Sequence, residues 1–277
     1  MQKIPEFSSF LGAEVQKAKR EIGETAFIKL LQRCKDTYGE AVISKYPDEI
    51  FKLWNTYPKF LDFAQKERLQ TESGLVIANH PGIFDIPIVL EALKVVDGKV
   101  RRDMKILVHS SHFDNFADNL GKEYFEKLVT GEYQPAKDSL DRGLKHIQSG
   151  GVFVIFPSGG FEQTPGQQFK VSSGLVYLLE SLDPEKMVYS MSINTHDFVL
   201  ATQGKRRFLP SRADVAGMSE YLGVPNPNIL RSKRSIQVKG RYGLASEWRK
   251  SMEGEKYYSG KSDRLTKRFL EIHGDNL

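Results

Sequence analysis

From Glu72 onward, short apolar, β-branched runs alternate with segments of helical spacing, and this alternation constrains the fold more than any other feature. Gly74-Leu-Val-Ile-Ala-Asn79, Met104-Lys-Ile-Leu-Val-His109, Gly151-Val-Phe-Val-Ile-Phe156 and Met187-Val-Tyr-Ser-Met-Ser-Ile193 have the length and residue types of buried strands. Helical patterns fill Ile83 to Val96 and 172–182, and a polar helical region covers roughly 114–148. A further strand is predicted at 235–239 and a closing helix near 262–273, with Gly274 placed to stop it. Strands alternating with helices predict an α/β fold: a mostly parallel sheet covered by helices on both faces.

Residues 1–70 read differently. Apolar residues fall at helical spacing in A-F-I-K-L-L-Q-R-C and again in I-F-K-L-W-N-T-Y-P-K-F-L-D-F, with breakers at Gly23, Gly39 and Pro58. The expectation is a small helical region over 1–70, without strands, followed by an α/β domain over 71–277. A chain of 277 residues buries such a core without staples. The single cysteine, Cys34, allows no internal disulfide and reads as a packing residue, and no Cys/His set has zinc spacing. No metal or cofactor is implied. The cysteine usage fits the cytoplasm.

The first residues lack the apolar core of a signal peptide. The most apolar stretches, around 83–93, 152–157 and 174–182, fall short of the roughly 18 residues that a membrane span needs. Any membrane contact is therefore expected to be peripheral. The net charge of +5 is unevenly spread: residues 201–250 hold 11 Lys and Arg against 3 Asp and Glu, a net +8, leaving the rest at −3. That basic stretch suits an acidic carrier protein or an anionic lipid surface. Nucleic acid is not expected, because residues 231–242 offer one aromatic, Tyr242, and no stacking motif.

Two short elements carry candidate chemistry. In Ala78-Asn-His-Pro-Gly-Ile-Phe-Asp85, His80 follows a predicted buried strand, where ligand sites of open α/β sheets gather. Asp85, five residues on, lies within reach of its ring across a turn. A carboxylate on one ring nitrogen fixes the tautomer and lets the other nitrogen take a proton at neutral pH. A hydroxyl substrate could then be activated without a serine nucleophile. The H-x4-D spacing alone is weak, since His109 to Asp114 repeats it; the context of Asn79, Pro81 and the following helix favours His80. The second element, Phe156-Pro-Ser-Gly-Gly160, follows the clearest strand, and its glycines allow backbone N–H groups to approach a ligand. No G-K-[ST] follows, so this is no Walker loop.

Together these motifs resemble the glycerolipid acyltransferase family, which includes glycerol-3-phosphate and lysophosphatidate (PlsC-like) acyltransferases. Asn79-His-x4-Asp85 is similar to its first motif, and Phe156-Pro-Ser-Gly-Gly160, 71 residues beyond Asp85, to its F-P-E-G motif. Phe169-Lys-Val-Ser-Ser-Gly174 and the strand 187–193 resemble the elements that follow, so the likeness covers about 72–195. The P-S-G-G form is similar to that of the soluble plastid-type glycerol-3-phosphate acyltransferases, which also carry a helical N-terminal domain.

The resemblance implies an O-acyltransferase, with His80 as general base and Asp85 as its orienting partner. The donor would be a thioester of acyl carrier protein or coenzyme A, and the acceptor a hydroxyl-bearing lipid precursor. Pro157, Ser158, Gly159 and Gly160 would bind substrate, with Lys170 and His109 as further acceptor-site residues. Ser158 stands where the family motif has glutamate, and Phe161 and Glu162 where the plastid-type branch has arginines. A carboxylate at that place repels phosphate. The cation for an acceptor phosphate then has to come from Lys170, Lys105 or the Lys205-Arg206-Arg207 cluster. The same departures suit a second reading, a non-catalytic lipid- or acyl-carrier-binding protein that keeps the fold.

Overall fold

The computed structural model describes residues 28–53, 56–63, 65–80, 84–129, 133–158, 169–194 and 234–274. Seven strands form one mixed sheet: β1 (Thr56–Phe63), β2 (Gly74–Ala78), β3 (Met104–His109), β4 (Phe125–Leu128), β5 (Val152–Ile155), β6 (Met187–Asn194) and β7 (Arg234–Leu244). Their order across the sheet is β1-β7-β6-β2-β5-β3-β4. The block β6-β2-β5-β3-β4 is parallel throughout, while β7 runs antiparallel to β6 and parallel to β1. The carboxyl ends of five strands therefore share one edge of the sheet.

Residues 28–38 are helical and are followed by α2 (Val42–Leu53); we call the first stretch α1. The other helices are α3 (Lys66–Thr71), α4 (Asp85–Ala92), α5 (Ser110–Leu120), α6 (Tyr133–Gln148), α7 (Ser173–Ser181), α8 (Ala245–Lys250) and α9 (Tyr258–His273). Strand side chains alternate between the two faces of the sheet, as the period of two requires. Val76, Val152, Val154 and Tyr189 face one apolar core with α1, α2 and α4; Leu75, Ile77, Phe153 and Val188 face a second with α6, α7, α8 and α9. Helices thus cover both faces, and the mostly parallel α/β sheet expected from the alternation is observed, preceded by helical residues 28–53.

Two strands depart from expectation. Residues 56–63, within the stretch expected to be helical, form β1, which among the described residues pairs with β7 alone, at the sheet edge. Pro58 lacks an N–H, which an edge strand tolerates and a helix interior does not. Asp62 adopts a positive φ of 43°, and the pairing register slips between Leu61 and Phe63, so the strand is bulged. β4 interrupts the polar region expected to be helical over 114–148. Gly274 does end α9, but in an ordinary right-handed conformation rather than a left-handed cap. Cys34 is buried, as a packing residue would be, and burial foremost pushes its thiol up to about 11. No helix among the described residues is long and apolar enough to cross a membrane.

Candidate active site

β2 and β5 are adjacent and parallel, so the residues that follow them emerge side by side. Asn79 and His80 leave β2 at this edge; Phe156, Pro157 and Ser158 leave β5 beside them. Asn79 is buried and bridges to β6, where its own N–H also reaches Met191 O at 3.4 Å. The strand ends there, and α4 does not begin until Asp85, two residues later than the pattern from Ile83 suggested.

Asp85 therefore sits in the first turn of α4, fully buried, where the amino-terminal end of a helix favours a negative charge. Its Oδ2 is hydrogen-bonded to Nδ1 of His80. An ionised carboxylate can only accept, so in this pairing Nδ1 is the donor and a neutral ring would carry its lone pair on Nε2. The His80 side chain keeps 21% of its surface exposed while that of Asp85 keeps 1%. The pair is thus dry on the carboxylate side and open on the imidazole side.

The His80 ring stacks on Phe156 with centroids 4.8 Å apart and planes 24° from parallel. This contact ties the His-Asp element to the Pro157–Ser158 turn. Phe156 was not singled out as a site residue; its place directly before Pro157, at the end of the clearest strand, was the signal. Pro157 O accepts from Ser172 N at 2.8 Å, which brings the segment before α7 back against the turn. Phe169 stacks on Phe269 at 4.2 Å and anchors the same segment to α9. Lys170 lies between these two anchors with its side chain exposed. Gly159, Gly160, Phe161, Glu162 and the Lys205-Arg206-Arg207 cluster lie outside the described residues.

His109 ends β3 at the same edge, one strand beyond β5. Its Nδ1 accepts from the Ser111 N–H at 3.2 Å and caps α5. Asp114, the other half of the second H-x4-D, lies 3.8 Å from Lys127 Nζ. The two copies of the spacing are thereby distinguished: one joins its ends, and the other is a helix cap with an exposed carboxylate. Lys105 sits near the amino end of β3, and its Nζ is 3.9 Å from Glu126 Oε2 on β4. Lys127 on β4 is a cation near that edge which the sequence did not single out, because β4 itself was not recognised. Among the described residues no group of His, Cys, Asp and Glu is arranged to hold a metal.

Residues 61–194 match the protein-family model described as Acyltransferase. That stretch is just under half of the chain, and over it the chain is similar to the acyltransferase family. The resemblance carried by the two motifs is borne out at that level. No curated protein matches this chain. Among solved structures it is similar to the 1-acyl-sn-glycerophosphate (LPA) acyltransferase PlsC from Thermotoga maritima. The identity is 16%, the match covers 92% of this chain and 90% of that one, and the TM-score is 0.49.

Proposed function

We propose that this acyltransferase moves a fatty acyl group from a thioester of acyl carrier protein or coenzyme A to a hydroxyl of a glycerolipid precursor, such as glycerol-3-phosphate or a lysophospholipid. The observation that carries this reading is the bond between His80 Nδ1 and the buried Asp85 carboxylate, on an imidazole stacked against the residue that opens the Pro157–Ser158 turn. His80 Nε2 takes the proton of the acceptor hydroxyl as its oxygen attacks the thioester carbonyl. The tetrahedral intermediate collapses by breaking the carbon–sulfur bond. The departing thiolate takes the proton back from the imidazolium, which Asp85 has stabilised meanwhile. The products are an ester and a free thiol, and the base is regenerated.

Pro157, Ser158, Gly159 and Gly160 bind the acceptor in this proposal, with Lys170 and His109 at its margin. The basic stretch over 201–250 docks the acidic carrier or an anionic membrane surface, and the protein works in the cytoplasm. The test is thiol release from acyl-carrier-protein and coenzyme A thioesters, run with a panel of glycerol and lysolipid hydroxyl acceptors. Acceptor-dependent release that disappears in His80→Ala supports the reading. Donor binding without thiol release by the wild-type protein would instead favour the non-catalytic binder that the Ser158 replacement suits.

A further inference from the structure

A second polar site lies away from the His80 edge. It is a cavity of about 140 Å³ between the second half of β7 and helices α8 and α9, lined by Arg241, Glu247, Trp248 and Arg268 among others. β1 pairs with β7 only as far as Gly240, so Arg241 lies beyond its cover. The Arg268 guanidinium lies over the Trp248 ring at 5.1 Å, and one of its terminal nitrogens is 3.9 Å from Glu247 Oε2. Its Nε is buried and meets no hydrogen-bond acceptor among the described residues. Arg241, on the facing strand, is exposed and forms no ion pair with any described residue.

Two arginines and one glutamate thus line the cavity, and the Glu247 carboxylate near Arg268 is half exposed. A buried donor without an acceptor is costly, and native structures satisfy such groups with protein, water or ligand. Guanidinium forks match the oxygens of tetrahedral anions in geometry as well as charge. We propose that this cavity is a binding site for a phosphate group, held between Arg241 and Arg268, with the Arg268 Nε as one of its donors. A cavity of about 140 Å³ accommodates a phosphate group, whether free or carried on a larger ligand.

The experiment is thermal unfolding of the full chain in sodium phosphate against sodium chloride at matched ionic strength. Further arms use coenzyme A and dephospho-coenzyme A. Phosphate at tenfold excess over its Kd is expected to raise Tm by about 3 °C over chloride. The rise is expected to vanish in Arg268→Met and to shrink in Arg241→Gln, whose exposed side chain can be changed without disturbing the fold. A shift with coenzyme A that is lost with the dephospho form identifies the donor's phosphomonoester as a source; a shift with inorganic phosphate alone identifies the free ion. Equal Tm in phosphate and chloride, or a phosphate shift that survives in both variants, overturns the proposal. None of these outcomes depends on His80 or on acyl transfer.

Discussion

The side-chain amide of Asn79 is bonded to both backbone polar groups of Ile193: Nδ2 donates to Ile193 O at 3.0 Å, and Oδ1 accepts from Ile193 N at 2.6 Å. A side chain here does the work of a backbone pair. The β2–β6 ladder is extended by one step while the main chain of β2 is released to turn, and His80 follows at once. Asn79→Ala would leave the buried N–H and C=O of Ile193 without these partners, at a cost of about 2–4 kcal/mol. Urea unfolding should show that loss, and kcat should fall more than KM rises, because the imidazole is held from this point. An unchanged midpoint together with an unchanged kcat would show that the bridge has no such role.

Asp85→Asn separates chemistry from shape. The amide fills the same volume, but its nitrogen can donate to His80 Nδ1 and so place the ring proton on Nε2. The base is then in the wrong tautomer, and kcat is expected to fall by about 10²–10⁴-fold. Acceptor KM and the far-ultraviolet spectrum should change little. A variant retaining a third or more of wild-type kcat would remove Asp85 from the proposed mechanism.

Tyr46 on α2 offers the opposite case. It is fully buried, and its hydroxyl meets no partner among the described residues. Burial foremost, then the charges of Cys34 and Asp85, push its phenol far above the ordinary value, so it stays protonated at any working pH. Tyr46→Phe removes an unsatisfied polar atom without opening a cavity. The expected result is a gain of about 1 kcal/mol in urea unfolding with activity intact. A loss of stability would reveal a partner for the hydroxyl.

Much of the parallel block was legible in the sequence because β2, β5 and β6 are buried on both faces and β3 is mostly apolar; all four lie within a residue or two of their expected bounds. β1 was not, because its aromatic residues mimic helical spacing, and only Pro58 hinted otherwise. β4 was hidden because Phe-Glu-Lys-Leu is four residues long and half polar. At the site, the adjacency of His80 and Asp85 followed from local spacing. The Asn79 bridge could not be read, since its partner lies 114 residues away, and the His109 copy was ambiguous until its cap to Ser111 was seen.

Arg101 ties the end of α3 to the start of β3, and its partner Asp103 gives the fold a pH dependence. It is buried, and donates to Leu69 O at 2.7 Å, to Glu72 O at 2.8 Å, and through Nε to Asp103 Oδ1 at 2.8 Å. Hydrogen bonding from Arg101, against an opposing effect of partial burial, holds the Asp103 carboxyl below its usual value. A depressed folded pKa adds stability above the unfolded value of about 3.9, and that contribution is lost as pH falls through the lower folded value. Asp103→Asn should therefore destabilise the protein at neutral pH, and the difference from wild type should shrink toward about pH 3. A difference that grows on acidification would contradict the assignment. Asp103 is half exposed, so the effect is small and calls for urea midpoints rather than activity.

Gly143 on α6 sets two known effects against each other. Alanine is favoured over glycine in a helix interior by about 1 kcal/mol, which taken alone predicts stabilisation by Gly143→Ala. A Cβ at this position, however, would lie 2.4 Å from the ring of Phe153, which is fully buried on β5. The ring is enclosed by the second core and cannot swing aside, so helix or strand must move; overpacking of this kind costs about 1–3 kcal/mol. The second effect is the larger over most of its range, and a net loss of up to about 2 kcal/mol in urea unfolding is expected. The same displacement has a functional consequence, because β5 carries Phe156 to its stack on His80. Gly143→Ala should lower kcat as well as the unfolding midpoint, although it lies on a helix that does not touch the His-Asp pair. A raised midpoint would mean that α6 can lift from the sheet at little cost, and the coupling from helix to imidazole would fall with it.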